Sequence, residues 1–132
     1  MQRRLRYHER MKFAQDQINS KYVIEAYEPG RIQVANQIFR DNMLIMPDRL
    51  LQAWDMSCMD DFDGEQLQAL LVHQPDVLIL GTGRTQIFPH PSLFAACMQA
   101  GIGWEVMPTD AACRTYNILL GEDRRVLAAL IL

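Results

Sequence analysis

The chain has 132 residues, 49% of them hydrophobic and 22% charged, with a formal net charge of −3. That composition is ordinary for one soluble domain, and a chain of this size can bury about 68–70% of its unfolded surface. No window reaches the ~18 uninterrupted apolar residues of a membrane helix, so membrane insertion is not expected. The charge is uneven: residues 1–12 carry five basic groups and one acidic, a net +4, leaving −7 for residues 13–132. An acidic body excludes a nucleic-acid-binding domain, which needs a basic face for phosphates.

Residues 1–20 read as a basic arm, with Arg3, Arg4, Arg6, Arg10 and Lys12 at its start. A contact with RNA or anionic lipid, a targeting segment and a plain solvated terminus are the open readings. Glu9 and Asp16 suit a targeting segment poorly, since such peptides are poor in acids. Residues 21–132 read as a single α/β domain.

Tyr22 to Tyr27 alternates and is rich in strand formers, and Glu28-Pro29-Gly30-Arg31 has the Pro-Gly centre of a type II turn. Beyond it Ile32, Val34 and Ile38 recur at even spacing on one expected face, with Arg31, Gln33 and Gln37 opposite. Asn42 to Met46 predicts a third short strand ended by Pro47. Between Leu50 and Phe62 the pattern dissolves, leaving Trp54 and Met56 as expected plugs over the sheet. Asp63 is placed to cap a helix, with Gln66 at its third position, Leu67, Leu70 and Leu71 as its buried stripe and Pro75 as its stop.

Val77 to Leu80 is a run of four large apolar residues, as in a strand covered on both faces. Pro89 and Pro91 lead into a helix over Ser92 to Ala100, which Gly101 ends. Trp104 to Met107 predicts the next strand. Thr109 is placed to cap a helix carrying Ala112, Tyr116, Leu119 and Leu120 and ended by Gly121. Val126 to Leu132 predicts the last strand. The β–α–β–α–β order implies an α/β domain with a largely parallel sheet.

Gly81-Thr82-Gly83 after a buried strand raises the question of a phosphate loop. Gln86 stands where a dinucleotide fingerprint needs its third glycine, and no Gly-Lys-Ser/Thr follows, so neither phosphate motif is complete. Thr109 and Asp110 follow the next strand. If the two strands are parallel neighbours, both loops leave the sheet at one end, beside Arg84. With Thr115, Tyr116 and Asn117 they make a candidate site for a small polar or anionic ligand. A purely structural turn, a helix cap and a bracing amide are the competing readings.

The acidic run Asp55, Asp60, Asp61, Asp63 and Glu65 does not match a calcium loop and suits a helix N-terminus. Cys58, Cys97 and Cys113 are odd in number and lack Cys-x-x-Cys spacing, and His8, His73 and His90 are each solitary. No disulfide framework, metal site, cofactor or catalytic constellation is therefore expected, and reduced thiols fit a cytoplasmic or matrix-like compartment. Met43, Met46, Met56 and Met59 cluster around Trp54. Such methionines fill a core, or, if exposed, form an adaptable partner-binding face with Trp54 as its anchor.

The order Gly81-Thr82-Gly83, Gly101-Ile102, Glu105-Val106, Thr109, Ala112-Cys113-Arg114-Thr115-Tyr116-Asn117 and Ala128-Ala129-Leu130-Ile131 resembles the mitochondrial complex I assembly factor three proteins. It is equally similar to their uncharacterised bacterial and archaeal relatives and to the adipogenesis-associated animal protein of the same domain type. The resemblance covers roughly residues 20–132. The Tyr-Glu-Pro-Gly-Arg-Ile hairpin and the Pro47-to-Trp54 connection fit as well. It implies a three-layer fold around a mixed, mostly parallel sheet, with an N-terminal hairpin or meander adding a second layer. For the mitochondrial members it implies a role in assembling respiratory complex I; for the prokaryotic members it implies no reaction. The chain lacks the long, acid-poor leader of the mitochondrial pattern, so import into an organelle is not expected.

Together these readings give a non-enzymatic, cytoplasmic and monomeric protein-interaction domain, an assembly or accessory factor with a protein partner. The alternative is a small anionic-ligand or nucleotide-like binding domain, or an enzyme, using the loops after the strands ending at Leu80 and Met107.

Overall fold

The computed structural model describes residues 21–51 and 53–132; the expected arm at residues 1–20 lies outside them. Strands β1 (Ile24–Glu28), β2 (Arg31–Val34) and β3 (Gln37–Phe39) form an antiparallel meander. Strands β4 (Met43–Met46) and β5 (Arg49–Leu51) follow, then a 3₁₀ turn (Met59–Asp61) and helix α1 (Gly64–Leu71). Strand β6 (Val77–Thr82), helix α2 (Ser92–Gln99), strand β7 (Gly103–Met107), helix α3 (Thr109–Gly121) and strand β8 (Val126–Ile131) complete the described chain.

The larger sheet has the order β5-β4-β8-β6-β7. Strand β6 runs parallel to both β7 and β8, whereas β4 is antiparallel to β8 and to β5. The sheet is therefore mixed, and the carboxyl ends of β6, β7 and β8 lie together at one end.

Period-two alternation sorts each apolar run onto the two faces. Ile45, Ile79, Ala128 and Leu130 face a layer made by Ala112, Tyr116 and Leu120 of α3 and by Ile24, Ile32 and Val34 of the meander. Met46, Leu78, Leu80, Leu127 and Ala129 face the other way, against Leu67 and Leu70 of α1, Cys97 of α2, and Met56, Met59 and Phe62. Each fully buried Leu or Ile contributes about 1.5–3 kcal/mol. The helices that the turn chemistry implies are present. Asp63 caps α1 by accepting from the Gln66 amide at 2.9 Å.

The structure departs from the sequence reading in three places. What reads as one strand from Arg31 to Ile38 is two, because Ala35 and Asn36, at φ 53° and 61°, turn the chain into a second hairpin. The turn pairs Gln33 with Ile38 and Ile32 with Phe39, so Ile38 shares the outer face with Gln33 and is 40% exposed. Strand β5 is an addition, formed where the pattern begins to dissolve.

Thr109 does not cap α3. Pro108 occupies the cap position and no side chain among the described residues makes the cap hydrogen bond, because the Thr109 hydroxyl is committed elsewhere.

Candidate functional site

The parallel pairing of β6 with β7 brings the Gly81–Arg84 and Thr109–Asp110 segments to the same end of the sheet. Most of the polar groups gathered there are consumed in joining one element to another. The Thr109 hydroxyl accepts from the Gly83 amide at 2.8 Å and donates to the Ile131 carbonyl at 2.6 Å. Its amide donates to the Gly83 carbonyl at 2.9 Å. One fully buried threonine thus ties the end of β6, the end of β8 and the start of α3.

Gly81 lies directly beneath this junction. A Cβ there would sit 3.0 Å from the Thr109 Oγ1, 3.0 Å from the Leu130 Cδ2 and 3.1 Å from the Ala112 Cβ. Gly83 has room for a side chain, but its φ of +96° favours glycine. Thr82 is buried; its hydroxyl donates to the Thr85 carbonyl at 2.6 Å and accepts from the Ile87 amide at 3.1 Å, folding the following loop back on itself.

On α3, Thr115 contacts the Met107 Sδ at 3.4 Å. Tyr116 is fully buried and its hydroxyl donates to the Tyr22 carbonyl at 2.7 Å; burial, with Asp48 adding to it, pushes this phenol up from its ordinary range. Asn117 accepts from the Ile24 amide at 3.0 Å and donates to the Ile24 carbonyl at 2.8 Å. All three tie α3 to its neighbours.

Four of the nine candidate residues line two surface hollows. Gly83, Arg84 and Asp110 line a shallow hollow of about 250 Å³ together with Tyr27, Glu28 and Pro29. Asp110 and Asn117 line an adjoining one, also about 250 Å³, between β1 and α3, with Tyr27, Cys113 and Arg114. Tyr27, Glu28 and Arg114 are absent from the sequence-based candidates, because nothing local in the sequence links the first hairpin to a helix more than eighty residues later.

The electrostatics of these hollows are mixed. Glu28 pairs with Arg31 at 3.2 Å and Asp110 with Arg114 at 3.8 Å. Arg84 is exposed and has no carboxylate within 4.0 Å among the described residues. Burial pushes the Tyr27 phenol up, Cys113 and Asp110 push it further, and Arg84 opposes them. Burial also pushes the Cys113 thiol up to about 12, so it is protonated and a poor nucleophile at neutral pH. His90 Nδ1 lies 2.8 Å from the Ser92 hydroxyl and accepts from the Ser92 amide at 3.2 Å, a local brace at the start of α2. Among the described residues no group of three or more His, Cys, Asp or Glu side chains is arranged to hold a metal ion.

The methionine surface is not a surface. Met43 and Met46 are fully buried, and Met56 and Met59 are 4% and 7% exposed. Met43 packs on the α3 side of the sheet and the other three on the α1–α2 side. Trp54 is half-buried, edge-on to Phe62 with ring centroids 6.5 Å apart. The four methionines belong to the core, Met43 and Met46 because β4 is covered on both faces and Met56 and Met59 because they pack with Phe62, Leu78 and Leu80.

Comparison with known proteins places this architecture among relatives. A family model described as "protein of unknown function (DUF498/DUF598)" matches residues 24–131. A solution structure of a Xanthomonas campestris protein is 38% identical, with a TM-score of 0.76 and 83% of each chain covered. The zebrafish NADH dehydrogenase (ubiquinone) 1 alpha subcomplex assembly factor 3 is 30% identical over 119 residues, which cover 89% of this chain and 68% of that protein. A Francisella tularensis protein named 13 kDa major membrane protein is 25% identical over 124 residues, 92% of this chain and 99% of that one. No helix among the described residues is long and apolar enough to cross a membrane.

Proposed function

Since the chain belongs to the DUF498/DUF598 family and is similar to proteins named NADH dehydrogenase (ubiquinone) 1 alpha subcomplex assembly factor 3 and to an uncharacterised Rhodobacter capsulatus protein, we propose that it is a non-enzymatic assembly or accessory factor that works through protein contacts. The observation that carries this reading is the 30% identity to the zebrafish assembly factor across 89% of this chain. The site chemistry supports it. Gly81, Thr82, Thr109, Thr115 and Tyr116 are turned inward to join elements, and the one cysteine beside the hollows is held protonated. The three free cysteines support a reducing, cytoplasmic location. The domain acts as a monomer until it meets its partner.

The test is affinity purification of the tagged full chain from its native cell with mass spectrometry, together with native gels of respiratory complex I after deletion of the gene. Recovery of complex I subunits and loss of the assembled complex are expected. An unchanged complex and no co-purifying protein would overturn the assembly role.

A second reading has its own observation, the pair of adjoining hollows with Arg84 beside a glycine amide loop. It takes Arg84, at the rim of the first hollow, as the contact for a small anion such as a phosphate or nucleotide, since the Gly83 amide and both Asn117 carboxamide atoms are already bonded within the domain. Thermal shift with inorganic phosphate and with adenosine monophosphate tests it. A melt that does not move at millimolar ligand removes this reading.

A further inference from the structure

The loop between β6 and α2 is pinned along its length. Thr82 holds the Thr85 carbonyl and the Ile87 amide at 2.6 and 3.1 Å, and the Gln86 side chain donates to the Val106 carbonyl of β7 at 2.9 Å. Pro89 is buried, and the His90 carbonyl accepts from the Leu93 amide at 3.0 Å as α2 begins. Between these pins Ile87 is 43% exposed and Phe88 66%. The pins fix the backbone on either side while these two side chains stand exposed to solvent. A bulky aromatic on a preorganised loop loses little conformational freedom when it docks, which is the property of an interface anchor.

We propose, building on the protein-contact reading above, that the Arg84–Pro91 loop is the docking element. It inserts Phe88, with Ile87 beside it, into an apolar cleft on a partner protein whose rim carries a carboxylate for Arg84. Charge decides between a protein and a membrane as occupant. Residues 13–132 carry −7, and the whole chain still carries −3 with its basic arm counted, so an anionic lipid surface repels the body on which this loop sits, and one arginine does not offset that. A protein cleft asks for only one local carboxylate, and Arg84 has none within 4.0 Å among the described residues. Phe and Arg are also the residue types enriched where protein surfaces meet. Strand addition at the neighbouring edge is disfavoured, because Gln86 occupies the Val106 carbonyl of the edge strand β7.

The experiment places a photoreactive benzoylphenylalanine in the full chain at position 88 or, separately, at position 118, where Ile118 is 64% exposed on α3. Cross-linking is carried out in the native cell and the products are mapped by mass spectrometry. Position 88 is expected to yield one protein, linked through a peptide containing Asp or Glu, and position 118 none. With that protein purified, Phe88→Ser is expected to weaken binding on the order of thirtyfold, as for an interface hot spot, with an unchanged melt. Arg84→Glu should weaken it as well, and reversal of the partner's acid to Arg should restore it. A partner captured only from position 118 and indifferent to Phe88→Ser overturns the loop while leaving the protein-contact reading intact. No protein captured at any position removes both. Co-sedimentation of the wild type, but not Phe88→Ser, with phosphatidylglycerol vesicles overturns the proposal in favour of a membrane.

Discussion

The carboxamide of Asn117 forms with the backbone of Ile24 the two hydrogen bonds that a neighbouring strand would have made, at 3.0 and 2.8 Å. Strand β1 is an edge of the meander, and one side chain on α3 satisfies its first residue. The Tyr116 hydroxyl, bonded to the Tyr22 carbonyl at 2.7 Å, continues the same seam. Helix and meander are thereby held in register across more than ninety residues of chain.

Replacing Asn117 tests this bracing role. Asn117→Ala leaves the Ile24 amide and carbonyl without their partner and is expected to cost about 1–3 kcal/mol. Asn117→Asp keeps the acceptor and loses the donor, so it should fall between wild type and alanine at neutral pH. Urea melts measure the loss, and hydrogen exchange at the Ile24 amide should accelerate in the alanine variant. Unchanged exchange would show that the pairing contributes nothing.

The Thr109 junction makes a sharper case, because one hydroxyl both accepts and donates. Thr109→Val keeps the shape and strands the Gly83 amide and the Ile131 carbonyl, at a cost of about 1–3 kcal/mol for each desolvated group. Thr109→Ser should retain most of the stability. Gly83→Ala isolates backbone strain, since the nearest atom to its new Cβ is the Ile131 Cγ2 at 3.9 Å while φ is +96°; a loss of about 1 kcal/mol or more is expected. If Gly83→Ala melts like wild type, the positive φ is not required.

Much of this fold was legible in the sequence and much of the site was not. Val77 to Leu80 announces itself as a doubly covered strand and Val126 to Leu132 as a strand, and Asp63, Gly101 and Gly121 mark helix limits, because each signal is local. The second hairpin hides because a two-residue turn preserves even spacing, and Ala35-Asn36 lacks the usual Asn-Gly signature. By spacing alone Ile38 shares a face with Val34; in the fold it opposes Gln33. Thr109 looks like a cap because its partners, Gly83 and Ile131, stand 26 and 22 residues away. The methionines could have been assigned to the core: Met43 to Met46 is four consecutive large apolar residues, the mark of a strand covered on both faces.

The thiols give a prediction in pH. Burial pushes Cys113 from its usual 9.0 up to about 12, with Asp110 adding and Arg114 opposing. Between those values the unfolded chain releases a proton that the native chain keeps. The stability from this group is therefore complete below pH 9 and falls as pH rises toward 12. Tyr116, also pushed up by burial from 10.0, adds a second loss that begins above pH 10. Denaturant melts should decline from pH 9 upward, and Cys113→Ala should reduce the slope between pH 9 and 10 whatever its baseline cost, the remainder coming from Cys97, whose thiol burial also pushes up. In the native state at pH 8 only the exposed Cys58 should react quickly with Ellman's reagent. Rapid reaction of all three cysteines would contradict the burial.

The indole of Trp104 offers the last test. Its Nε1 is buried without a hydrogen-bond partner among the described residues, while its ring lies 4.3 Å from Phe94 and 6.0 Å from Phe62, centroid to centroid. The ring is therefore held by packing, and the N–H is a desolvated donor that costs about 1–3 kcal/mol. Trp104→Phe removes that donor and keeps an aromatic face for Phe94, at the expense of some buried area. The two effects oppose each other, so the melt should stay within about 1 kcal/mol of wild type. Trp104→Ala loses the packing as well and should cost about 3–5 kcal/mol. The phenylalanine variant also leaves Trp54 as the sole indole, half-buried against Phe62, so acrylamide should quench it only in part. A Trp104→Phe loss as large as that of alanine would mean that the N–H has a partner after all, such as a buried water.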